Sequence, residues 1–241
     1  MKKVNSIFIY TLAIMGVSLV LGTSCTKKDD NSNTSPSTGT VTDIDGNVYH
    51  TVTIGTQTWM VENLKTTRYN DGTAIPLVTD GNEWSNLTTP GYCWYNNDEA
   101  AFKTPYGALY NWFTVNTGKL APTGWHIPTD VEWTILSTYL GSAAVAGGKM
   151  KSTGTIEAGT GLWYSPNTGA TNESGFTAVP AGELNSVDFT FYSIGYDSRW
   201  WCSTYSSDNY AWYWALYDSY VNIGMFYGPR DNGWSVRCLR D

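Results

Sequence analysis

Residues 189–241 read FTFYSIGYDSRWWCSTYSSDNYAWYWALYDSYVNIGMFYGPRDNGWSVRCLRD, and the rest of the chain is organised around this stretch. It holds 16 of the 36 aromatic residues of the 241-residue chain, interleaved with Ser, Asn, Asp and Gly. Tyr and Trp give a large contact area at low entropy cost, and the small polar residues adapt to a partner. The composition of the stretch therefore indicates a recognition surface.

Residues 211–217 within this stretch predict a strand. Successive side chains of a strand point to opposite faces. The face predicted to be buried carries Trp212, Trp214 and Leu216. The face predicted to be exposed carries Tyr213, Ala215 and Tyr217. Residues 233–239 predict a closing strand.

The N-terminus predicts export and a lipid anchor. An apolar run over residues 7–21 is too short for a membrane span and suits a signal peptide of residues 1–24. The small residues before Cys25 resemble the cleavage site of bacterial lipoproteins, which implies that Cys25 is lipidated. Residues 25–40 are polar throughout and predict a disordered tether. An ordinary secretory signal with an incidental cysteine is the alternative.

The location and the partners are predicted from two further features. Residues 28–30, Lys-Asp-Asp, resemble the signal that sends lipoproteins of the Bacteroidetes to the cell surface, which implies the outer face of the outer membrane. Removing the signal peptide takes away two lysines and moves the net charge from −7 to −9. This acidic charge disfavours nucleic acid as a partner. The expected partners are the membrane, through the lipid, and a carbohydrate or protein ligand at the cell surface.

Cysteine and histidine usage gives no sign of a metal site. Cys93, Cys202 and Cys238 allow three single disulfide pairings in an oxidising compartment. No Cys or His spacing is typical of zinc, and His126 is predicted to be a packed structural histidine. We expect no metal and no cofactor.

The opening of the domain and its middle predict a hairpin and a long loop region. Asp45-Gly46 lies between two alternating segments, which favours a hairpin turn over part of a calcium loop. Residues 143–185 are rich in Gly, Ser and Thr and predict loops anchored by Trp163 and Phe176.

Two helices are predicted between these parts. Thr104 and Pro105 are typical of a helix start, and Gly118 lies beyond the predicted end. Residues 129–132, Thr-Asp-Val-Glu, form a capping box that starts the second helix, which Gly141 can close. The apolar stripe of this helix is predicted to consist of Val131, Ile135, Leu136, Tyr139 and Leu140. Two helices between an opening hairpin and terminal strands indicate one α+β domain over residues 41–241.

Five segments in order resemble the Fibrobacter succinogenes major paralogous domain: DIDGNVYHTVTIGTQTWMVENLK, GYCWYNNDEA, YGALYNWFTV, APTGWHIPTDVEW and GWSVRCLRD. The resemblance covers residues 41–241. That family is similar to C-type lectin-like domains, so the resemblance implies two helices, a small antiparallel sheet and a ligand site in the long loop region. The motifs of calcium-dependent sugar-binding lectins do not occur, and their activity is not carried over.

The resemblance to C-type lectins also implies a disulfide between Cys93 and Cys238. Cys202 stands where the family usually has Ser, and is expected to be a free, largely buried thiol. A Cys202–Cys238 bridge is the alternative. Peptide mapping without reduction distinguishes the two.

The predicted function is a non-catalytic ligand-binding or adhesion module on a lipid anchor. Its site is predicted on the exposed C-terminal strands and loops: Tyr205, Asp208, Tyr210, Tyr213, Tyr217, Asp218, Tyr220, Tyr227, Arg230 and Asn232. Aromatic faces stack on sugar rings or pack on a protein, while Asp, Asn and Arg supply directional hydrogen bonds. The scaffold beneath is expected to hold Trp200, Trp201, Trp212, Trp214 and Trp234.

Three alternative functions are open. Residues 201–204, 211–214 and 236–240 are similar to segments that frame the diversified site of variable receptor proteins of diversity-generating retroelements, although Cys238 replaces the usual proline. The second alternative is a structural role in a complex at the cell surface. The third is an enzyme, which we do not expect, with a glycosidase pair drawn from Glu173, Glu183, Asp188 and Asp197.

Overall fold

The computed structural model describes residues 38–241, and it corrects the predicted fold class. These residues form 12 strands in four sheets and are only 19% helical, so the predicted two-helix α+β, C-type lectin-like fold is wrong. The strands are β1 (Thr38–Thr42), β2 (Val48–Ile54), β3 (Gln57–Met60), β4 (Tyr92–Cys93), β5 (Leu109–Tyr110), β6 (Trp125–His126), β7 (Glu183–Asn185), β8 (Thr190–Tyr192), β9 (Asp197–Ser207), β10 (Tyr210–Tyr217), β11 (Gly224–Pro229) and β12 (Leu239–Arg240). The helices are α1 (Gly81–Ser85), α2 (Glu99–Tyr106), α3 (Trp112–Val115), α4 (Asp130–Tyr139) and α5 (Ala143–Met150).

The largest sheet joins the two ends of the domain. Its strand order is β1-β2-β3-β12-β6, and Leu239 of β12 pairs with both Trp59 and His126. The predicted turn at Asp45-Gly46 is confirmed, because β1 and β2 form an antiparallel hairpin and Gly46 has φ +83°. β1 begins at Thr38, so residues 38–40 are strand rather than tether.

The aromatic stretch forms a second sheet in the order β11-β10-β9. The two faces of β10 pack on different parts of the core. Trp214 and Leu216 lie in one buried cluster with Trp212 packed against it, as the alternation predicted. The other face is not open to solvent: Tyr213 is half-buried against a different cluster, and Ala215 is fully buried.

Three aromatic clusters make the core. The first cluster includes Trp112, Trp201 and Trp234. The second includes Trp59, Trp133, Trp163, Phe176, Trp200 and Trp214. The third is smaller and contains Trp84 and Tyr95. Trp163 and Phe176 are fully buried, so the two predicted anchors are confirmed.

The predicted start of the first helix is wrong. Asp98 caps α2 by accepting a hydrogen bond from the backbone N–H of Ala101 at 3.0 Å, and Pro105 lies in the last turn. β5 and the short α3 follow where the prediction continued one helix. The Asp98 carboxylate satisfies an orphan N–H three residues on, and this fixes the start earlier than Thr104.

The second helix starts where the sequence predicts but faces the core differently. The Thr129–Glu132 capping box is present. The buried side chains of α4 are Trp133, Leu136 and Ser137, whereas much of the predicted stripe is exposed. Trp133 sets this rotation because its ring lies 4.8 Å from Trp59 in the second cluster. The helix α5 was not predicted.

Within residues 38–241 no helix is long and apolar enough to cross a membrane. The predicted signal peptide, Cys25 and residues 25–37 of the tether lie outside the described residues.

Candidate ligand-binding cleft

A cleft of about 410 Å³ opens beside the turn between β9 and β10. It contains three of the ten predicted ligand residues. Its lining consists of Leu87, Thr88, Phe113, Asp208, Asn209, Tyr210, Pro229, Arg230 and Asp231. A volume of this size is in the range of small-molecule sites.

Arg230 is held in the cleft by aromatic rings. Its guanidinium carbon lies 4.9 Å from the centre of the Phe113 ring and 5.5 Å from that of Trp112. Its backbone is fixed on both sides, because its N–H donates to the Asn209 carbonyl at 3.2 Å and its carbonyl accepts from the Trp112 N–H at 2.8 Å. The buried Nε has no hydrogen-bond partner in the part of the chain that the structure describes. The ring faces and the two backbone hydrogen bonds therefore fix the position of the Arg230 side chain on the wall of the cleft.

Asp208 supplies an acceptor on the same rim. The hydroxyl of Tyr205 donates to its Oδ1 at 2.6 Å, and this hydrogen bond raises the pKa of Tyr205. The Tyr205 ring lies 5.9 Å from that of Trp112. Since one carboxylate oxygen of Asp208 is fixed by the tyrosine, the carboxylate is oriented before a ligand arrives.

Exposed aromatic rings extend the cleft along the sheet. The rings of Tyr210 and Tyr227 meet edge to face at 5.8 Å, and Tyr227 also lies 5.6 Å from Trp212. Tyr210 is 42% exposed and Tyr227 is 61% exposed. We define the ligand cleft by Tyr205, Asp208, Tyr210, Tyr227 and Arg230.

A sequence model of the Fibrobacter succinogenes major domain matches residues 52–240. The chain belongs to this family. No curated protein and no solved structure matches the chain. Every residue of the ligand cleft lies inside the part of the chain that matches the Fibrobacter succinogenes major domain.

Three other predicted ligand residues form a separate aromatic group in the Fibrobacter succinogenes major domain. The ring centres of Tyr213 and Trp234 are 4.0 Å apart. Phe226, on the neighbouring strand β11, has its ring centre 5.7 Å from that of Tyr213. Burial raises the pKa of Tyr213 to about 12. Tyr217 and Tyr220 continue this group, with ring centres 6.2 Å apart. Tyr213 is thus part of the packing, whereas Tyr220 is 58% exposed.

A buried ion cluster lies beside this second group. Arg199 forms ion pairs with Glu183 and with Asp197, the latter at 2.9 Å between Nη2 and Oδ2. The indole N–H of Trp234 donates to Glu183 at 2.8 Å. Burial raises the pKa of Asp197 to about 6, against the opposing effect of Arg199. The cluster ties β7 to β9.

The four carboxylates of the enzymatic alternative all have partners within the described residues. Glu183 and Asp197 share Arg199, as described above. Glu173 pairs with Lys149 at 2.9 Å, and Asp188 accepts a hydrogen bond from Tyr192 at 2.7 Å. The two that lie together have a guanidinium as their common partner.

The last two predicted ligand residues have structural contacts. Asn232 is only 6% exposed, and its Oδ1 accepts from the N–H and the hydroxyl of Ser186 at 3.0 and 2.9 Å. The carbonyl of Asp218 accepts from the buried ammonium of Lys151 at 3.2 Å. Neither residue lines the ligand cleft.

The predicted Cys93–Cys238 disulfide is absent. All three cysteines between residues 38 and 241 are free and buried. They lie in different clusters: Cys238 in the first, Cys202 in the second and Cys93 in the third. Burial raises the pKa of each thiol. The expectation that Cys202 is a free, buried thiol is confirmed.

His126 contacts two carboxylates within the described chain. Its Nδ1 lies 2.7 Å from a carboxylate oxygen of Asp241, and its Nε2 lies 3.0 Å from Glu132. It thereby joins the end of the chain to the capping box of α4. No group of three or more His, Cys, Asp or Glu residues within 38–241 is arranged to hold a metal.

Sequence reasoning missed part of the cleft lining. The ligand residues predicted from the sequence do not include Phe113, Asn209, Pro229 and Asp231, which also line the cleft. The dipeptide Asp208-Asn209 in a polar run is a turn signal. It marks the β9–β10 turn that carries one wall, but the pairing of Arg230 with Phe113 depends on tertiary contacts between residues far apart in sequence.

Proposed function

We propose that this protein is a surface lipoprotein whose domain binds a carbohydrate in the ligand cleft without catalysing a reaction. Arg230 carries the proposal, because its guanidinium lies on two aromatic rings in a cleft that it shares with the oriented carboxylate of Asp208. Sugar hydroxyls both donate and accept hydrogen bonds, so a cleft that presents Arg230 and Asp208 together suits them.

The aromatic residues support the same ligand class. Tyr210 and Tyr227 are exposed at the cleft and offer ring faces or edges to the apolar side of a sugar ring. The charged residues that line the cleft are Arg230, Asp208 and Asp231, so its net charge is slightly negative. This charge disfavours an acidic ligand. A neutral saccharide fits this combination best.

The lipid anchor is the second part of the proposal. It is supported by the apolar run of residues 7–21 and by the small residues before Cys25. The Lys-Asp-Asp sequence at residues 28–30 supports display at the cell surface. Treatment of cells with globomycin, which inhibits the lipoprotein signal peptidase, is expected to leave the precursor uncleaved. Normal processing would refute the anchor.

A glycan array tests the ligand. The purified full-length protein, probed with and without calcium, is expected to bind a defined set of neutral saccharides. Arg230→Ala should reduce that binding at least tenfold, whereas Arg68→Ala should leave it unchanged, because Arg68 is an exposed arginine outside the cleft. Silence of the wild-type protein on the array, with binding to a protein partner that Arg230→Ala weakens, would replace the carbohydrate with a protein ligand.

A further inference from the structure

An uncharged and partly apolar surface covers the outer side of α4 and α5. Val131, Ile135 and Tyr139 are 60, 46 and 65% exposed, and their spacing of four residues places them along one face of α4. Val145 of α5 is 43% exposed. The other exposed residues from 131 to 145 also carry no charge: Thr134, Thr138, Gly141, Ser142, Ala143 and Ala144. We call this surface the α4–α5 face.

The charged residues that flank the α4–α5 face have partners within the domain. Asp130 accepts a hydrogen bond from the Thr204 hydroxyl at 2.7 Å. Glu132 is engaged in the capping box and contacts His126. Lys149 pairs with Glu173. The α4–α5 face is therefore an uncharged area on an acidic protein, and removing its side chains from water costs little free energy.

The tether joins the domain close to this face. Thr38, the first residue of β1, pairs with Val52 near the end of β2. Gly55 lies in the turn between β2 and β3, and its backbone is so close to Tyr139 that an added Cβ would lie 2.8 Å from the Tyr139 ring. Strand geometry puts Thr38 roughly 10 Å from Gly55. Thr38 thus lies on the same side of the domain as Tyr139.

The number of residues between Cys25 and β1 limits how far the domain can lie from the bilayer. Twelve residues, 26–37, separate Cys25 from Thr38. Fully extended, these residues span at most roughly 40 Å, which is comparable to the diameter implied by a radius of gyration of about 17 Å for a domain of this size. A lipid on Cys25 would therefore keep Thr38, and with it the side of the domain that carries Tyr139, within that distance of the bilayer.

We propose that the α4–α5 face rests on the lipid bilayer that holds the anchor. Tyr139 suits the boundary between headgroups and acyl chains, and the aliphatic residues Val131, Ile135 and Val145 suit its apolar side. This inference rests on the lipidation of Cys25 in the proposed function, and it does not depend on which ligand the cleft binds.

Depth-dependent fluorescence quenching tests the contact. The full-length lipoprotein carries an environment-sensitive fluorophore on a cysteine introduced by Val145→Cys, and is reconstituted into phosphatidylcholine and phosphatidylethanolamine vesicles containing spin-labelled lipid. The native cysteines of the domain are buried and are not labelled without denaturant. A label introduced by Glu83→Cys, an exposed residue of α1 beside the third cluster, is the matched control. Intact mass establishes acylation of Cys25 before the measurement.

The label at position 145 is expected to be quenched at least threefold more than the label at position 83. Val131→Asn with Ile135→Asn should remove this difference, while the unfolding midpoint stays near that of the wild type, because both side chains are exposed. Equal quenching at the two positions in an acylated protein overturns the membrane contact. Energy transfer between labels at position 145 on two molecules, with no lipid quenching, would assign the face to a second copy of the chain. Absence of the acyl group overturns both the anchor and this inference, and leaves carbohydrate binding to be judged by the array.

Discussion

The side chain of Arg237 donates two hydrogen bonds to the Oδ1 atom of Asn63, from Nε at 3.2 Å and from Nη2 at 2.8 Å. Arg237 is fully buried, and no Asp or Glu forms an ion pair with it within residues 38–241. The Trp200 indole donates to the same oxygen at 2.8 Å, and Phe176 stacks on the guanidinium at 4.2 Å. A neutral amide, the backbone carbonyl of Phe176 and aromatic rings thus stabilise a buried cation that links the segment after β3 to the segment before β12.

This arrangement predicts that removing the amide is worse than removing the cation. Asn63→Leu leaves a buried charge without its main acceptor and should lower the free energy of unfolding by about 3–5 kcal/mol. Arg237→Met removes the charge and leaves the neutral Phe176 carbonyl without its arginine donor, while Trp200 still donates to Asn63, so it should cost only about 1–3 kcal/mol. Urea unfolding of the two variants measures the difference. The opposite order would show that Asn63 is not what holds the guanidinium.

Sequence reasoning succeeded where the signal was local. The capping box at residues 129–132 and the turn at Asp45-Gly46 depend on neighbours within four residues, and both are present. The rotation of α4 was missed because two overlapping stripes satisfy helical spacing and share Leu136 and Leu140. Only the packing of Trp133 on Trp59, 74 residues earlier in the chain, decides between them.

The candidate site was predicted in part for the same reason. Residue type identified Asp208, Tyr210 and Arg230, because exposed aromatic and charged residues in a polar run are typical of recognition surfaces. Composition does not separate an exposed tyrosine from one that packs on tryptophan, so Tyr213 was included with them. Its neighbour Trp234 lies 21 residues away and reaches it through the fold of the last segment.

Thiol mapping tests the correction to the predicted disulfide. The structure predicts that Cys93, Cys202 and Cys238 resist iodoacetamide in the native protein, because burial raises the pKa of each thiol. All three should be alkylated in guanidinium chloride without a reductant. Peptide masses identify them. A single alkylated cysteine among the three would instead demonstrate a bridge.

Stability should fall as pH rises through the titration of His126. Burial lowers the pKa of His126, but its contacts with Asp241 and Glu132 outweigh this and raise it above 6.5. Because the folded state binds the proton more tightly, the stabilisation is complete below about pH 6.5 and is lost as pH rises through the higher folded-state pKa. The side chain is about one-third exposed, so we expect an effect below about 1 kcal/mol.

A comparison of variants isolates this contribution. The difference in free energy of unfolding between wild type and His126→Gln should shrink between pH 6 and pH 8, as measured by urea titration at each pH. Asp241→Asn removes one of the two carboxylates and should weaken the pH dependence without abolishing it. A difference that stays constant across this range would show that the histidine proton is not linked to folding.

The two groups of tyrosines should respond differently to truncation. Tyr213→Ala removes a ring packed 4.0 Å from Trp234 and 5.7 Å from Phe226, and should lower the free energy of unfolding by about 2–3 kcal/mol. Tyr227→Ala removes a ring that is 61% exposed and should cost less than about 1 kcal/mol, while it weakens saccharide binding several-fold. Thermal unfolding and binding to the best array ligand, measured on both variants, separate these effects. If Tyr227→Ala destabilised the domain as much as Tyr213→Ala did, its ring would belong to the core, and the ligand cleft would be reduced to Tyr205, Asp208, Tyr210 and Arg230.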